Sequence, residues 1–518
     1  MNDPSEDESS IPVSETAPTP APAAHDDTEA VGHSAARIGR AFGLQMAARV
    51  FGTGASLITV ALTTRHLGPE NYGYLTSAVM FVTLWMALTE LGIGEVAVRR
   101  VTDSRVATRP SIERLVQVSL GFALVWSIPL TVVTLFTGVL IYHDDPEVVK
   151  MLFIVVGSIA LTTLYSSFDP LFKVHMRFGA VALADFGGRI LSMVLTVVLV
   201  ALDAGLVWFA VVQLVPPAVN LAIKAVAAAR LGGIRPVFDV SATRSLLVES
   251  LPITVVLVIA VLYWRIDGVL LSVLSTPEQV GHYGLAYSMA FMVTMVSELL
   301  LTSLLSTTTA LYAGDRERFA AFVARTSEIM YFFAFPVAVI GPILAGPIIT
   351  LISSDSFAGG APVLGLLFIA AAVTFLNAAA SQALFAAHDQ HFLMRLNGVT
   401  LVINIAANCA LIPHFGAQGA AMALVITELI GLACSRWRLG SRKLYHEPFA
   451  FGLRLLIPTI AAAAIALVLH GFSPLISLPA AAAAYLAINV AVGPVNKRFI
   501  SETLRSRSDS ATHDRETA

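Results

Sequence analysis

The sequence predicts an all-α polytopic membrane protein with about fourteen transmembrane helices, and three observations predict it. First, 56% of the 518 residues are hydrophobic and only 13% are charged. That is about half the charge of an ordinary soluble domain, and mean hydropathy is +0.77. Second, charge-free runs long enough to cross a bilayer recur at 116–142, 329–354, 356–387 and 396–427. Third, the basic residues alternate along the chain as the loops of a multi-span protein require. This composition excludes a water-soluble enzyme and a disordered chain. A net charge of −3 with no basic domain also argues against a nucleic-acid partner.

Residues 1–36 hold eight acids, five prolines and no Lys or Arg, so they are expected to be a disordered cytoplasmic tail. They lack the basic start and apolar run of a signal peptide. Deleting residues 2–34 is expected to leave transport intact, because Arg37 and Arg40 remain to fix orientation. The expected helices cover 38–63, 73–97, 115–142, 149–169, 178–202, 206–230, 245–274, 282–312, 319–352, 361–387, 392–412, 418–438, 450–470 and 476–495. The last two come from one charge-free run, 455–496, that is too long for a single span and is split by the turn signal HGFSP at 470–474. A polar tail, 501–518, follows.

With the N-terminus inside, 27 of the 32 basic residues fall on inward segments and only Arg65 and Lys150 on outward loops. The remaining three, Arg49, Arg189 and Arg265, lie within spans. One span more or fewer would scramble this asymmetry, so both termini are expected in the cytoplasm. Cys409 and Cys434 lie in apolar stretches and read as small buried hydrophobes, not a disulfide or metal site. No GxxxxGK[ST] loop is present, so nothing points to ATP hydrolysis on this chain. No metal or cofactor is expected. The outward loops are short, which weighs against a membrane glycosyltransferase and for transport.

Two echoes suggest an internal repeat. LGPENYGYL (67–75) matches STPEQVGHYGLAYS (275–288), and FKVHMRFGAVAL (172–183) matches FAAHDQHFLMRL (385–396), at offsets near 210 residues. Six helices per unit keep the same orientation. The expectation is an N-lobe (37–235) and a C-lobe (236–440) around a central cavity, followed by two added helices (441–500).

RHLGPENYGYL (65–75), ELGIGEVAVRRV (90–101), YWRIDGVLLSVLSTPEQVGHYGLAYS (263–288), SFAGGAPVLGLLF (356–368) and LIPHFGAQGAAMALVITELIG (411–431) resemble a known family. It is the polysaccharide transporters, the O-antigen and teichoic-type branch of the multidrug/oligosaccharidyl-lipid/polysaccharide exporter superfamily. The resemblance covers about 37–496. It implies a bacterial cytoplasmic-membrane flippase that moves a polyprenyl-pyrophosphate-linked glycan from the inner to the outer leaflet. Membrane lipids and glycan assembly enzymes are its implied partners. Its motifs are loops and helix ends, which specify the fold and not the substrate, and no acidic site of the superfamily's drug antiporters is carried over to this chain.

The chemistry must therefore be read from charges inside the membrane, which are costly and face cavities or partners. Arg49, on the first span, has no acid on its own helix. Its partner is either Glu90, on the second span at similar depth, or an anionic ligand. Arg189 has Asp185 four residues earlier, the favourable order for a helical pair. Arg265 and Asp267 are two apart and cannot pair along the helix, which leaves Arg265 for a pyrophosphate, a headgroup or Glu298. The substrate-binding candidates are thus Arg49, Arg265 and Glu90. Glu298 and Glu428, the acids nearest mid-span, and Asn404 with Asn408, on one helix face, are candidates for coupling a proton or Na⁺. The alternative for the asparagines is a purely structural hydrogen bond across helices. Besides the flippase, two readings stay open: a cation-coupled drug exporter, whose cavity should be dominated by an acid, and a membrane glycosyltransferase or polymerase.

Overall fold

The computed structural model describes residues 25–102, 111–232 and 235–494, with side chains from Arg49 onward. Residues 1–24 of the acidic tail, Arg105, Arg109 and the polar tail at 501–518 lie outside the described residues, as do the side chains of Arg37 and Arg40. Every described regular element is helical. Helix α1 (His25–Trp85) contains the first span and most of the second, because the chain bends at Gly68 (φ 72°, ψ 174°) and Pro69 opens the next helical stretch. Short helices α2 (Ala87–Glu90) and α3 (Ile93–Thr102) complete the second span. They are separated by two left-handed residues, Leu91 (φ 46°) and Gly92 (φ 66°).

The third span is α4 (Ile112–Ile141). The fourth is made of α5 (Pro146–Val155), α6 (Gly157–Ser166) and α7 (Asp169–Val174). The fifth is α8 (Phe178–Ala201), and the sixth is α9 (Leu206–Val212) with α10 (Val215–Ala229). That last break has a cause in Pro216 and Pro217, which lack N–H donors and can only open a new helix. Long unbroken helices follow: α11 (Val240–Leu274), α12 (Pro277–Gly314) and α13 (Arg316–Ile352). A 3-10 turn, Asp355–Gly360, leads into α14 (Ala361–Ala386). The chain closes with α15 (Gln390–Phe415), α16 (Ala417–Ser441), α17 (Phe449–Val468) and α18 (Pro474–Ala491). Among the described residues, 13 segments are long and apolar enough to cross a membrane, and the first, Arg49–Thr102, is 54 residues long. At 1.5 Å per residue that is roughly 80 Å, more than twice the ~30 Å hydrocarbon thickness. It is two spans joined at Gly68, so the count agrees with about fourteen.

Helix ends are fixed by capping. Asp239 accepts from the Ala242 amide (3.0 Å), and Asp315 accepts from the amides of Glu317 (2.9 Å) and Arg318 (3.1 Å). Asp389, outside the spans, binds Arg438 (2.7 Å) and Arg442 (3.2 Å). The Arg438 hydrogen bond and the charge of Arg442 hold its carboxyl below the usual carboxylate range.

The main buried cluster draws on α1, α5, α12, α14 and α16, with Phe81, Met151, Tyr283, Leu364 and Ala420 among its members. Large apolar side chains such as Phe136, Trp208, Val402 and Leu475 stay exposed, the outward face expected against lipid. Helices α17 and α18 pack on α13, where Phe451, Leu455 and Tyr485 meet Ile340 and Leu344.

The two sequence echoes at 67–75 and 275–288 meet face to face. A Cβ at Gly73 would stand 1.8 Å from the Pro277 carbonyl oxygen, and one at Gly281 would stand 2.1 Å from that of Pro69. The relation is reciprocal, glycine of one copy against the proline carbonyl of the other, as around a two-fold axis. Only glycine permits this backbone approach.

Candidate functional site

Two adjoining cavities open beneath this seam. One, of about 270 Å³, is lined by Arg49, Ser56, Arg189, Arg265, Tyr287 and Met292, from α1, α8, α11 and α12. The other, of about 530 Å³, shares Arg265 and Phe291 with it and adds Trp264, Glu298 and Thr374. Three arginines from three helices therefore converge on one space inside the membrane-spanning bundle.

Their partners differ. Arg49 donates to Glu298 (2.9 Å), and the two side chains are 46% and 50% exposed. Arg49 thus does not pair with Glu90, the acid expected from depth alone. Arg189 binds Asp185 (3.2 Å), four residues earlier, and also donates to Ser56 Oγ (3.0 Å) on α1. It lies across α1 because position 52 is glycine: a Cβ there would come within 2.9 Å of Arg189 Cδ. Sequence reading treated Arg189 as a self-contained pair and missed its place in the cavity. Gly52, one turn from Arg49, was the available signal.

Arg265 has no carboxylate partner among the described residues. Its guanidinium sits over the Tyr287 ring, 5.6 Å from the centroid, and the ring is held by a hydrogen bond from Tyr287 to the Trp264 carbonyl (3.0 Å). Asp267 points elsewhere, as the two-residue spacing requires. It is buried and accepts from Tyr283 and from the Gly268 amide (2.8 Å).

Glu90 faces a different cavity, of about 120 Å³, lined by Glu95, Ser119, Asp169 and Lys173. There Lys173 pairs with Glu95, and buried Lys224 pairs with Asp169 at 2.6 Å. The structure therefore separates Glu90 from Arg49 and Arg265.

Glu428 is 1% exposed and lines a fourth cavity, of about 170 Å³, beside Asn377, Asn397 and Thr400. Tyr263 (2.8 Å) and Asn377 (3.1 Å) donate to it. Both are neutral donors that sequence reading did not assign to it. Asn404 donates to Thr427 (3.3 Å) on α16, and Asn408 donates back to Asn404 Oδ1 (2.9 Å). Asn408 Oδ1 is buried without a partner. Among the described residues, no group of three or more His, Cys, Asp or Glu could hold a metal ion.

The family model described as polysaccharide biosynthesis protein matches residues 62–362. No curated protein matches the chain in sequence. The fold resembles the lipid II flippase MurJ in an inward closed conformation, with a TM-score of 0.71 at 14% identity, covering 86% of this chain and 98% of that one. It also resembles an inward-facing multidrug resistance MATE family transporter of the MOP superfamily, with a TM-score of 0.55 at 14% identity, covering 76% and 95%. A further MATE structure aligns with a TM-score of 0.52 at 16% identity, covering 78% and 97%. At these identities the likeness concerns the fold, and it agrees with the superfamily that the sequence motifs suggest. The family match spans more than half of the chain, which therefore belongs to the polysaccharide biosynthesis protein family.

Proposed function

We propose that this protein is a flippase that carries a polyprenyl-pyrophosphate-linked glycan from the inner to the outer leaflet of a bacterial cytoplasmic membrane. The observation that carries the reading is the convergence of Arg49, Arg189 and Arg265 on one cavity, with Arg265 lacking an acidic partner among the described residues. A pyrophosphate brings at least two negative charges and several acceptor oxygens. Arginine meets these with a planar fork and keeps its charge when desolvated. The Arg49–Glu298 pair is half exposed, and such pairs contribute only about 0–1 kcal/mol. A diphosphate can therefore take Arg49 from Glu298. The lipid tail stays in the bilayer at the edge of the cavity while the sugars occupy the larger, mostly apolar and aromatic space beside Trp264 and Phe291.

In this reading the chain works as two lobes, 37–235 and 236–440, that rock about the cavity, with 441–500 as an addition packed on α13. Glu428, with neutral donors only, is the coupling candidate that best fits a proton. Asn404 ties α15 to α16 through Thr427, Asn408 braces Asn404 from one turn along the same helix, and Glu90 leaves the substrate site. Substrate-supplying glycan assembly enzymes would act from the cytoplasmic face.

The rival is a drug exporter of the same fold. Glu298, in the larger cavity, is what favours it. Binding separates the two: purified protein should retain an undecaprenyl-pyrophosphate glycan in native mass spectrometry and should lose it in Arg265→Ala. Retention of a lipophilic cation in place of the glycan would put the exporter reading first.

Orientation is tested independently. Cysteines at 145, 355 and 474 should react with an impermeant maleimide from outside, and those at 105, 235 and 442 should not in intact cells. External labelling of 105 or 442 would overturn the topology.

A further inference from the structure

Of the two basic residues expected on outward loops, Lys150 is accounted for locally by Glu147, at 2.6 Å. Arg65 is not. It has no acidic partner among the described residues, and its donors go to the end of a helix 287 residues away. Nε reaches the carbonyls of Ser353 (2.7 Å) and Ile352 (3.1 Å), and Nη2 reaches that of Leu351. These belong to the last turn of α13 and its cap, where carbonyls lack intrahelical donors and carry the partial negative charge of the helix dipole. An arginine on the first span thus caps the ninth.

The cap sits at the seam where the two sequence repeats touch. Beside it the closed seam buries two polar atoms without partners: Ser353 Oγ, and Nε2 of His282, whose ring lies against Phe357 and Gly359. A buried unsatisfied polar atom is unfavourable, and opening the seam to water would relieve both. The closed end therefore combines a tight glycine contact and a charged cap, which hold it shut, with two unsatisfied atoms, which favour opening. That balance is what a bistable element needs.

We infer that Arg65 is the latch of the outward gate, a cation that caps the C-terminus of α13 when the cavity is closed on that side and lets go when it opens. The gate's chemistry is independent of which molecule the cavity carries, so its test uses no substrate.

The native thiols are removed (Cys409→Ser, Cys434→Ser), and Ser288→Cys reports from the cavity beneath the seam. An impermeant maleimide is applied from whichever side labels Asp145→Cys, so an inverted orientation is read from that control and not charged to the latch. Loss of the three bonds should shift the population toward the open state, and Arg65→Ala should label about tenfold faster than the parent. Arg65→Lys, which keeps the charge without the fork, should fall between. Gly73→Leu, which wedges the seam directly, serves as the open reference, and all variants are compared at equal monomer yield. Labelling of Arg65→Ala at the parental rate while Gly73→Leu labels fast would overturn the latch. If Arg65→Ala gives no folded monomer, the lysine variant decides: a rate equal to the parent's contradicts the inference, and a faster one supports it.

Discussion

Arg265→Ala is expected to abolish glycan export while leaving the protein folded and inserted, and Arg49→Ala is expected to do the same. Both side chains line the cavity and neither anchors the core, so their loss removes charge from the site and little packing from the bundle. Truncating one partner of a desolvated charge pair costs about 2–5 kcal/mol, so binding should fall by roughly 30-fold or more. Lysine should restore only part, because it loses bidentate geometry. Arg189→Ala together with Asp185→Ala should be milder, since that change removes a self-neutralised pair and leaves no unpaired carboxylate behind. Glu298→Gln should act in the opposite direction on binding. With its competitor gone, Arg49 should hold the diphosphate more tightly and release it more slowly. The check is export in cells with matched membrane levels of each variant, paired with binding to the purified protein.

The second large effect concerns the seam. Gly73→Ala and Gly281→Ala each place a Cβ within about 2 Å of a backbone carbonyl of the other repeat, closer than non-bonded atoms pack. Neither carbonyl can rotate away, because each belongs to the first turn of a helix opened by proline. The pair of substitutions should prevent the closed conformation and leave the cavity open on that side. Export should fall to background even though every arginine is intact. Thermal unfolding of the variant in detergent should show a single folded species, with the melting point lowered by the lost contact. A doubly substituted protein that exports normally would show that the seam need not close at backbone distance.

Much of the fold was legible because hydropathy and charge are properties of segments. Fourteen spans could be counted from the charge-free runs, and the HGFSP turn separated α17 from α18 where hydropathy alone merged them. The PE…YG repeat was legible as an echo, and the structure shows its two copies in contact. The arginines inside the spans were legible as cavity candidates because a charge there must find water or a partner.

Pairing was not legible. Glu90 looked like the partner of Arg49 because both sit at similar depth, but the chain takes left-handed φ at Leu91 and Gly92 immediately after it. That break ends the helix, so neither depth nor periodicity says which cavity Glu90 faces. The real partner, Glu298, lies 249 residues away, and no local pattern encodes such a contact. Glu428 was legible as a costly buried acid. Its stabilisation by Tyr263 and Asn377 was not, because those residues come from two other helices.

The central claim is that this chain moves an anionic lipid-linked glycan through the arginine-lined cavity. Purified protein reconstituted in liposomes with fluorescently labelled undecaprenyl-pyrophosphate oligosaccharide tests it most directly, with an enzyme outside the vesicles that cleaves exposed headgroups. The account predicts that cleavage runs past the outer-leaflet half to near completion with the parent protein and stops at about half with Arg265→Ala. Cleavage that stops at half with the parent protein, or runs equally far with Arg265→Ala, would contradict it.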